Sequence, residues 1–261
     1  MTDPRVSVVV PYSPAHTPAD MLEEALDSIE TQSVPTESIV VTDDEQRGPA
    51  WARNRGLERA DTRFVAFLDA DDLWKPGKLE RQLDAIEETG AAICVEGPTR
   101  STDAFLRDLY LGRIESLTSS VLLDTSAVEL RFVEALERRE DHLFILEAAA
   151  AGGVCFREDL VTIRKQPDGL SARNSPELRV RANERFAELF AERVSAELAD
   201  RYADAFYHKL YHGVGRAAHR TGEYEQALGY FKRALAHDVT PRTVAAACLS
   251  AIGYAVGKVT A

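Results

Sequence analysis

Three carboxylates, Asp69, Asp71 and Asp72, follow directly on the apolar run Phe64-Val65-Ala66-Phe67-Leu68. A continuous apolar run of that length reads as a strand buried on both faces. Acids placed at its end are costly to bury unless they meet a cation or water. Asp69-Ala70-Asp71 is therefore a candidate site for a hard divalent cation with oxygen ligands, Mg2+ or Mn2+, which would in turn hold phosphates. The competing reading is a solvated acidic loop, since carboxylates are common in loops. Asp72 reads as a helix cap.

Other chemistry gathers at two more strand ends. Residues 6–10 (Val-Ser-Val-Val-Val) are strand-forming by β-branched content and run into Pro11-Tyr12. Residues 38–42 (Ser-Ile-Val-Val-Thr) run into Asp43-Asp44. Ligands of open α/β sheets sit outside the carboxyl ends of the strands. Three such ends in register would line one crevice.

The elements that must position them alternate. Thr17-Pro18 offers a helix start, with Thr17 as cap and Pro18 at the first helical position, and Leu22, Ala25, Leu26 and Ile29 on one face. A helix is expected near 50–59, another on Leu79, Leu83 and Ile86 up to Gly90, and a short strand over 91–95. This alternation alone predicts a parallel, doubly wound sheet. Residues 119–123 read as a further strand, as do 154–156 and 160–164, with a turn at Asp168-Gly169. Arg139-Glu140-Asp141-His142 opens a helix whose first-turn acids suit the helix dipole.

From Ser175-Pro176 the pattern changes. Leu178, Ala182, Phe186, Phe190, Val194, Leu198 and Tyr202 recur every four residues, predicting one long amphipathic helix and a boundary near 172. Gly215, Gly222, Tyr224, Ala227, Phe231 and Ala234 have the spacing of one tetratricopeptide repeat, a helical pair that cannot bury its apolar face alone. His208 and His212 lie four apart, with Lys209 where a zinc protease would need Glu, and no third ligand is in view.

Composition excludes several classes. The 261 residues carry a formal net charge of -12, which argues against nucleic acid as a bulk electrostatic partner. Only six of the 31 basic residues are Lys; an acidic, Arg-rich surface fits a high-salt cytoplasm or a GC-rich genome. Cys94, Cys155 and Cys248 form no Cys-x-x-Cys pair, so a reducing cytosol is the simplest setting. No secretory leader is evident at Met1-Thr-Asp-Pro-Arg, and no apolar run reaches the roughly 18 residues that span a bilayer.

Taken in order, 6–12, Leu26/Ser28/Gln32, 39–44, Ala52-Arg53-Asn54 with Gly56, 67–74 with Lys78-Leu79, Glu140-Asp141 and 160–171 resemble the glycosyltransferase family 2 catalytic domain. The resemblance covers 6–173. It implies an α/β GT-A (Rossmann-like) mixed sheet flanked by helices over residues 1–172, with 173–261 an all-α C-terminal appendage resembling one tetratricopeptide repeat. It implies inverting transfer from a nucleoside diphosphate sugar, UDP- or GDP-linked, to a glycan or glycolipid hydroxyl. Pro11 and Tyr12 would line the base pocket, and Asp43 or Asp44 would accept from the base or ribose. Arg53 and Asn54 would lie on the nucleotide side, although Arg53 could equally pair with a surface acid. Asp71 would be the direct metal ligand, with Asp69 on the ribose or supporting the metal. Asp141 would be the base beside Glu140; both acids could also merely complement a helix N-terminus.

Three departures are plain. Ser13 stands where many relatives carry Asn, Gln166 stands for a common His, and Phe132-Val133-Glu134 is the nearest equivalent of a missing Gly-Gly-Phe-Asp run. Two other functions stay open. A sugar nucleotidyltransferase would need a Gly-rich basic loop that 11–18 lacks. A catalytically silent nucleotide-sugar binder would recruit partners through its tail. The helical tail would pack on the preceding long helix or on the catalytic domain, bind a protein, or touch the cytoplasmic membrane face.

Overall fold

The computed structural model describes residues 3–164 and 175–260, with side chains to 256. The expected turn at Asp168-Gly169, Gln166 and the boundary near 172 lie outside them. The chain divides into two compact units, Met1–Leu170 and Ser171–Ala261.

The first unit is built on a six-stranded sheet. Its strands are β1 (Val6–Tyr12), β2 (Thr36–Thr42), β3 (Phe64–Phe67), β5 (Ile93–Glu96), β6 (Leu122–Asp124) and β7 (Val154–Arg157), in the order β2-β1-β3-β6-β5-β7. β4 (Asp72–Trp74) and β8 (Val161–Ile163) form a separate antiparallel pair. Helices α1 (Ala19–Glu30), α2 (Pro49–Leu57), α3 (Lys78–Thr89), α4 (Thr102–Tyr110) and α5 (Glu140–Gly152) flank the sheet.

The sheet is mixed. β1 pairs parallel with β2 and β3, but β6 runs antiparallel to both β3 and β5. The purely parallel sheet suggested by the alternation is thereby corrected. Four other expectations change. The strand expected over 119–123 begins only at Leu122, as β6; residues 118–120 form a 3-10 turn, where Ser120 Oγ bonds Leu117 O at 2.8 Å and diverts the backbone locally. Asp72 begins β4 instead of capping a helix. α1 starts at Ala19 with no side-chain cap, so Thr17 does not cap it. The single long helix is two, α6 (Pro176–Arg193) and α7 (Ala196–Arg220), because Ser195 leaves helical geometry and caps the second by accepting from Leu198 N at 3.2 Å.

The second unit continues with α8 (Tyr224–His237) and α9 (Pro241–Thr260). Gly215 of α7 lies under Phe231 of α8, where a Cβ would come within 2.9 Å of the ring. His208 and His212 both bond Thr243 Oγ1, at 2.9 and 2.8 Å. On α9, Leu249, Ile252 and Val256 are exposed. No helix among the described residues is long and apolar enough to cross a membrane.

Small residues let α2 lie hard against β1. A Cβ at Gly56 would sit 2.1 Å from Val9 Cγ1. Gly56→Ala should therefore force the helix off the sheet and cost about 1–3 kcal/mol, read as a lower urea midpoint. Gly229→Ala in α8, with nothing within 4 Å of the added methyl, should leave that midpoint unchanged or raise it. Equal midpoints for both variants would refute the close approach.

Candidate active site

The pairing register brings the first strand ends together. Pro11 lies opposite Val41 and Tyr12 opposite Thr42, and Asp43 N donates to Tyr12 O at 2.8 Å. Pro11 and Tyr12 are half-buried. The buried Asp43 carboxylate accepts from Arg47 N (2.9 Å) and Gly48 N (2.7 Å), so it holds the turn into α2. Asp44 is exposed. Thr42, Asp43, Asp44, Glu45, Arg47 and Trp51 line a cleft of about 210 Å³. Trp51, with the Arg47 guanidinium 4.8 Å from its ring centroid, was not singled out from the sequence; an aromatic two residues past a Gly-Pro turn is a weak signal.

Asp69 and Asp71 occupy the loop between β3 and β4. Several side chains pin this loop. Ser119 Oγ accepts from Asp69 N (3.2 Å) and donates to Asp72 Oδ2 (2.6 Å), while Ser119 O accepts from Trp74 Nε1 (2.8 Å). Arg164 Nε donates to Asp71 O at 2.6 Å, and its Nη2 to Ala70 O at 3.3 Å and Met21 O at 2.9 Å. Asp72 is thus turned inward, and burial raises its pKa to about 6 against the pull of Ser119. Asp71 is half-buried; burial, then the Asp69 charge, raises its pKa.

Arg53 of α2 is the cation that links the two acid groups. It is buried, its Nη2 meets Asp69 Oδ1 at 2.7 Å, and its Nη1 meets Glu140 Oε1 at 3.3 Å. Burial pulls its pKa down, but Asp69 and Glu140 outweigh this and hold the pKa above the usual value. Its partners are these two site acids, so the surface pairing considered from the sequence does not apply. Phe132 lies beneath it, 5.4 Å from ring centroid to guanidinium carbon. Asn54 faces the other way. Its amide nitrogen donates to Phe132 O (3.0 Å) and Glu134 Oε1 (2.8 Å), and its oxygen accepts from Phe132 N (2.8 Å). Those bonds fix the 132–134 segment and engage the amide on both of its atoms.

Glu140 and Asp141 open α5. Burial, then Asp141, raises the Glu140 pKa, and Arg53 opposes the rise. Asp141 Oδ1 accepts from His142 N at 2.7 Å, so the helix-terminus role weighed for these acids is present at Asp141. The site therefore joins Asp69, Arg53 and Glu140 in one chain of contacts, with Asp71 and Asp141 next to its two ends. Among the described residues no three His, Cys, Asp or Glu side chains cluster closely enough to hold a metal ion by themselves.

Residues 38–119 match the family model described as Glycosyl transferase family 2. The chain is 33% identical over 142 residues to a putative teichuronic acid biosynthesis glycosyltransferase of Bacillus subtilis (strain 168), covering 44% of this chain and 55% of that protein. It is 28% identical over 196 residues to a succinoglycan biosynthesis protein of Rhizobium meliloti (strain 1021), covering 55% and 56%. It thus spans about half the length of these curated relatives. Among solved structures, S. aureus TarS 1-349 in complex with UDP superposes with a TM-score of 0.60 at 19% identity, over 96% of this chain and 87% of that one. A mannosyltransferase from Pyrobaculum calidifontis in complex with GDP-Man and Mn2+ gives 0.55 at 20% identity, over 98% and 81%.

The Arg53 bridge carries a direct expectation. Arg53→Met would leave Glu140 buried beside Asp141 without a cation, at a cost on the order of 3 kcal/mol, measured by urea denaturation. Arg53→Lys keeps the charge and loses the fork, so it should fall between. A native midpoint for Arg53→Met would show that the bridge does not hold the two loops.

Proposed function

We propose that this chain, which carries a glycosyltransferase family 2 segment in a GT-A fold, is an inverting glycosyltransferase. It moves a sugar from a nucleoside diphosphate sugar to a hydroxyl of a glycan acceptor. The observation that carries this reading is the Asp69–Arg53–Glu140 bridge, which ties a strand-end acid group to a second acid group at a helix start. One group serves the donor and the other the acceptor. Residues 1–172 are the catalytic domain in this reading.

On the donor side, Pro11, Tyr12 and Asp44 border the base and ribose, and Asp43 shapes the loop beneath them. UDP or GDP fits the structural neighbours, whose bound ligands are UDP, UDP-GlcNAc and GDP-Man. Relatives named for teichuronic acid and succinoglycan synthesis support a growing glycan as acceptor.

The residues fit a divalent ion, Mn2+ or Mg2+. Asp71 is a hard oxygen donor whose charge is disfavoured by burial and by Asp69, a condition that a cation relieves. Asp71 would be the direct ligand, with Asp69 supporting it, and the remaining ligands would be diphosphate and water oxygens. Such an ion, when bound, would stabilise the charge on the departing diphosphate.

On the acceptor side, Asp141 takes the hydroxyl proton as the acceptor oxygen attacks the anomeric carbon. The bond from that carbon to the diphosphate oxygen breaks on the opposite face, which inverts the centre. A hydroxyl is a poor nucleophile, so such a base is worth about 10²–10⁴-fold. Glu140 is held by Arg53 and carries α5, and Asp141 with it, into place.

The test is release of nucleoside diphosphate from UDP-glucose, UDP-GlcNAc and GDP-mannose with Mn2+. Asp141→Asn should lower turnover about 10²-fold or more, and near-normal turnover would reject the base. Excess chelator should abolish activity and added Mn2+ restore it; full activity in chelator would remove the metal role.

A further inference from the structure

One residue beside the acid pair has a backbone that its side chain type disfavours. Arg139 precedes α5 at φ 64, in the left-handed region. A non-glycine residue there costs about 1–2 kcal/mol and persists only when its surroundings over-determine it. Glycine would occupy this position without that cost. The chain carries arginine instead, and its guanidinium hydrogen-bonds two carbonyls of α4 and the His142 ring.

Nη2 donates to Leu109 O and Tyr110 O, each at 2.9 Å. These carbonyls belong to the last turn of α4, which ends at Tyr110. The end of a helix presents carbonyls without intrahelical donors and the negative pole of its dipole, so a cation suits it. Nε donates to His142 Nδ1 at 3.2 Å. That bond requires Nδ1 to be an acceptor, which leaves the ring proton on Nε2.

We propose that Arg139 is a positioning residue: with His142 as its acceptor, it clamps the first turn of α5, and with it Glu140 and Asp141, onto the end of α4. The inference rests on the base role assigned to Asp141 above. Within α5, His142 N already donates to Asp141 Oδ1, so the clamp reaches the reactive carboxylate through one residue.

The clamp needs a neutral His142. The charged and titratable groups facing it are Arg139 and Asp141 on its own element and Glu115 from the segment after α4, whose Oε2 is 3.8 Å from Nε2. Arg138 and Tyr110 face Arg139. Burial lowers the His142 pKa, and Arg139 lowers it further against Asp141 and Glu115. Burial lowers Arg139 to about 10, so it stays cationic near neutral pH. The sign follows from these shifts. The unfolded imidazole takes up its proton near pH 6.5 and the folded one lower, so this contribution is complete above 6.5 and is lost as pH falls through that window.

The first test does not need turnover. In the full chain labelled with ¹⁵N-histidine, His142 should show the Nε2–H tautomer and titrate below 6.5, with its signal assigned by loss in His142→Gln. Arg139→Gln should raise its titration midpoint. A native His142 midpoint at or above 6.5, or one unmoved in Arg139→Gln, overturns the clamp.

The second test uses hydrolysis of whichever donor in the panel is turned over. Arg139→Lys should lower kcat about 10- to 100-fold, in the range that a misplacement of about 1 Å can cost, with little change in donor KM. Arg139→Gly should be more stable to urea than Arg139→Ala, yet equally slow. If kcat instead follows stability across Gly and Ala, the role is only structural. His142→Gln, whose oxygen can still accept from Arg139, should recover most of the kcat lost in His142→Leu and shift the acid limb. In an Asp141→Asn background Arg139→Lys should have no further effect. Near-normal turnover of Asp141→Asn alone would defeat the base assignment and leave the titration test of the clamp standing.

Discussion

The buried guanidinium of Arg53 is the charge on which the site depends. Asp69, Asp71, Glu140 and Asp141 crowd one region, and burial already works against two of them, Asp71 and Glu140. Four carboxylates this close repel one another strongly where water is excluded. Arginine suits the position better than lysine, because its planar fork reaches two acids on different elements at once. Its place is secured from beneath by Phe132 and from behind by the close approach of α2 to β1 at Gly56. The paired contacts of Arg53 thus rest on one missing side chain.

A second constraint sorts the three aspartates after β3. Their sequence spacing says nothing about which faces the crevice. Ser119 and Arg164 decide it. Ser119 holds Asp72 inward, while the Arg164 guanidinium takes the carbonyls of Ala70 and Asp71 and an ion pair with Glu24 of α1. The loop is fixed largely through backbone groups, and the Asp71 carboxylate stands half-buried beside the Asp69 charge. Lys78 looks similar but belongs to the core. It is fully buried, lies 4.0 Å from the Trp74 ring centroid and bonds Gln82, and burial lowers its pKa to about 7.

The strand ends were legible because apolar runs stopping at carboxylates are a local pattern. The first three strands fall where that pattern puts them, and their pairing register brings Pro11, Tyr12 and Asp43 together. What escaped was information that local pattern does not hold. β6 has three residues, and nothing in Leu122-Leu123-Asp124 records its direction. The four-residue period from Leu178 to Tyr202 runs across a real break, because Val194 and Leu198 keep phase while Ser195 leaves the helix. Asn54 read as a ligand contact from its place in a motif, yet its amide is taken up by residues 132–134, more than seventy positions away. The backbone of Arg139 gave no sign, since a positive φ at arginine has no sequence signature.

The spacing between Asp69 and Glu140 is itself a product of core packing. Asp69 follows β3, whose last residue is Phe67; Glu140 opens α5, which carries Phe144 one turn later. Phe67 meets Phe132 and Phe144 edge-on, at 5.4 and 5.6 Å, and Phe132 stacks on Phe144 at 4.0 Å. These three rings fill the space under the Arg53 bridge. Cores are close-packed and deform little, so the rings set how far apart strand β3 and helix α5 can stand. The separation that the Asp69–Arg53–Glu140 bridge spans is therefore fixed below the site by apolar contact, and the charges above it are fitted to that distance.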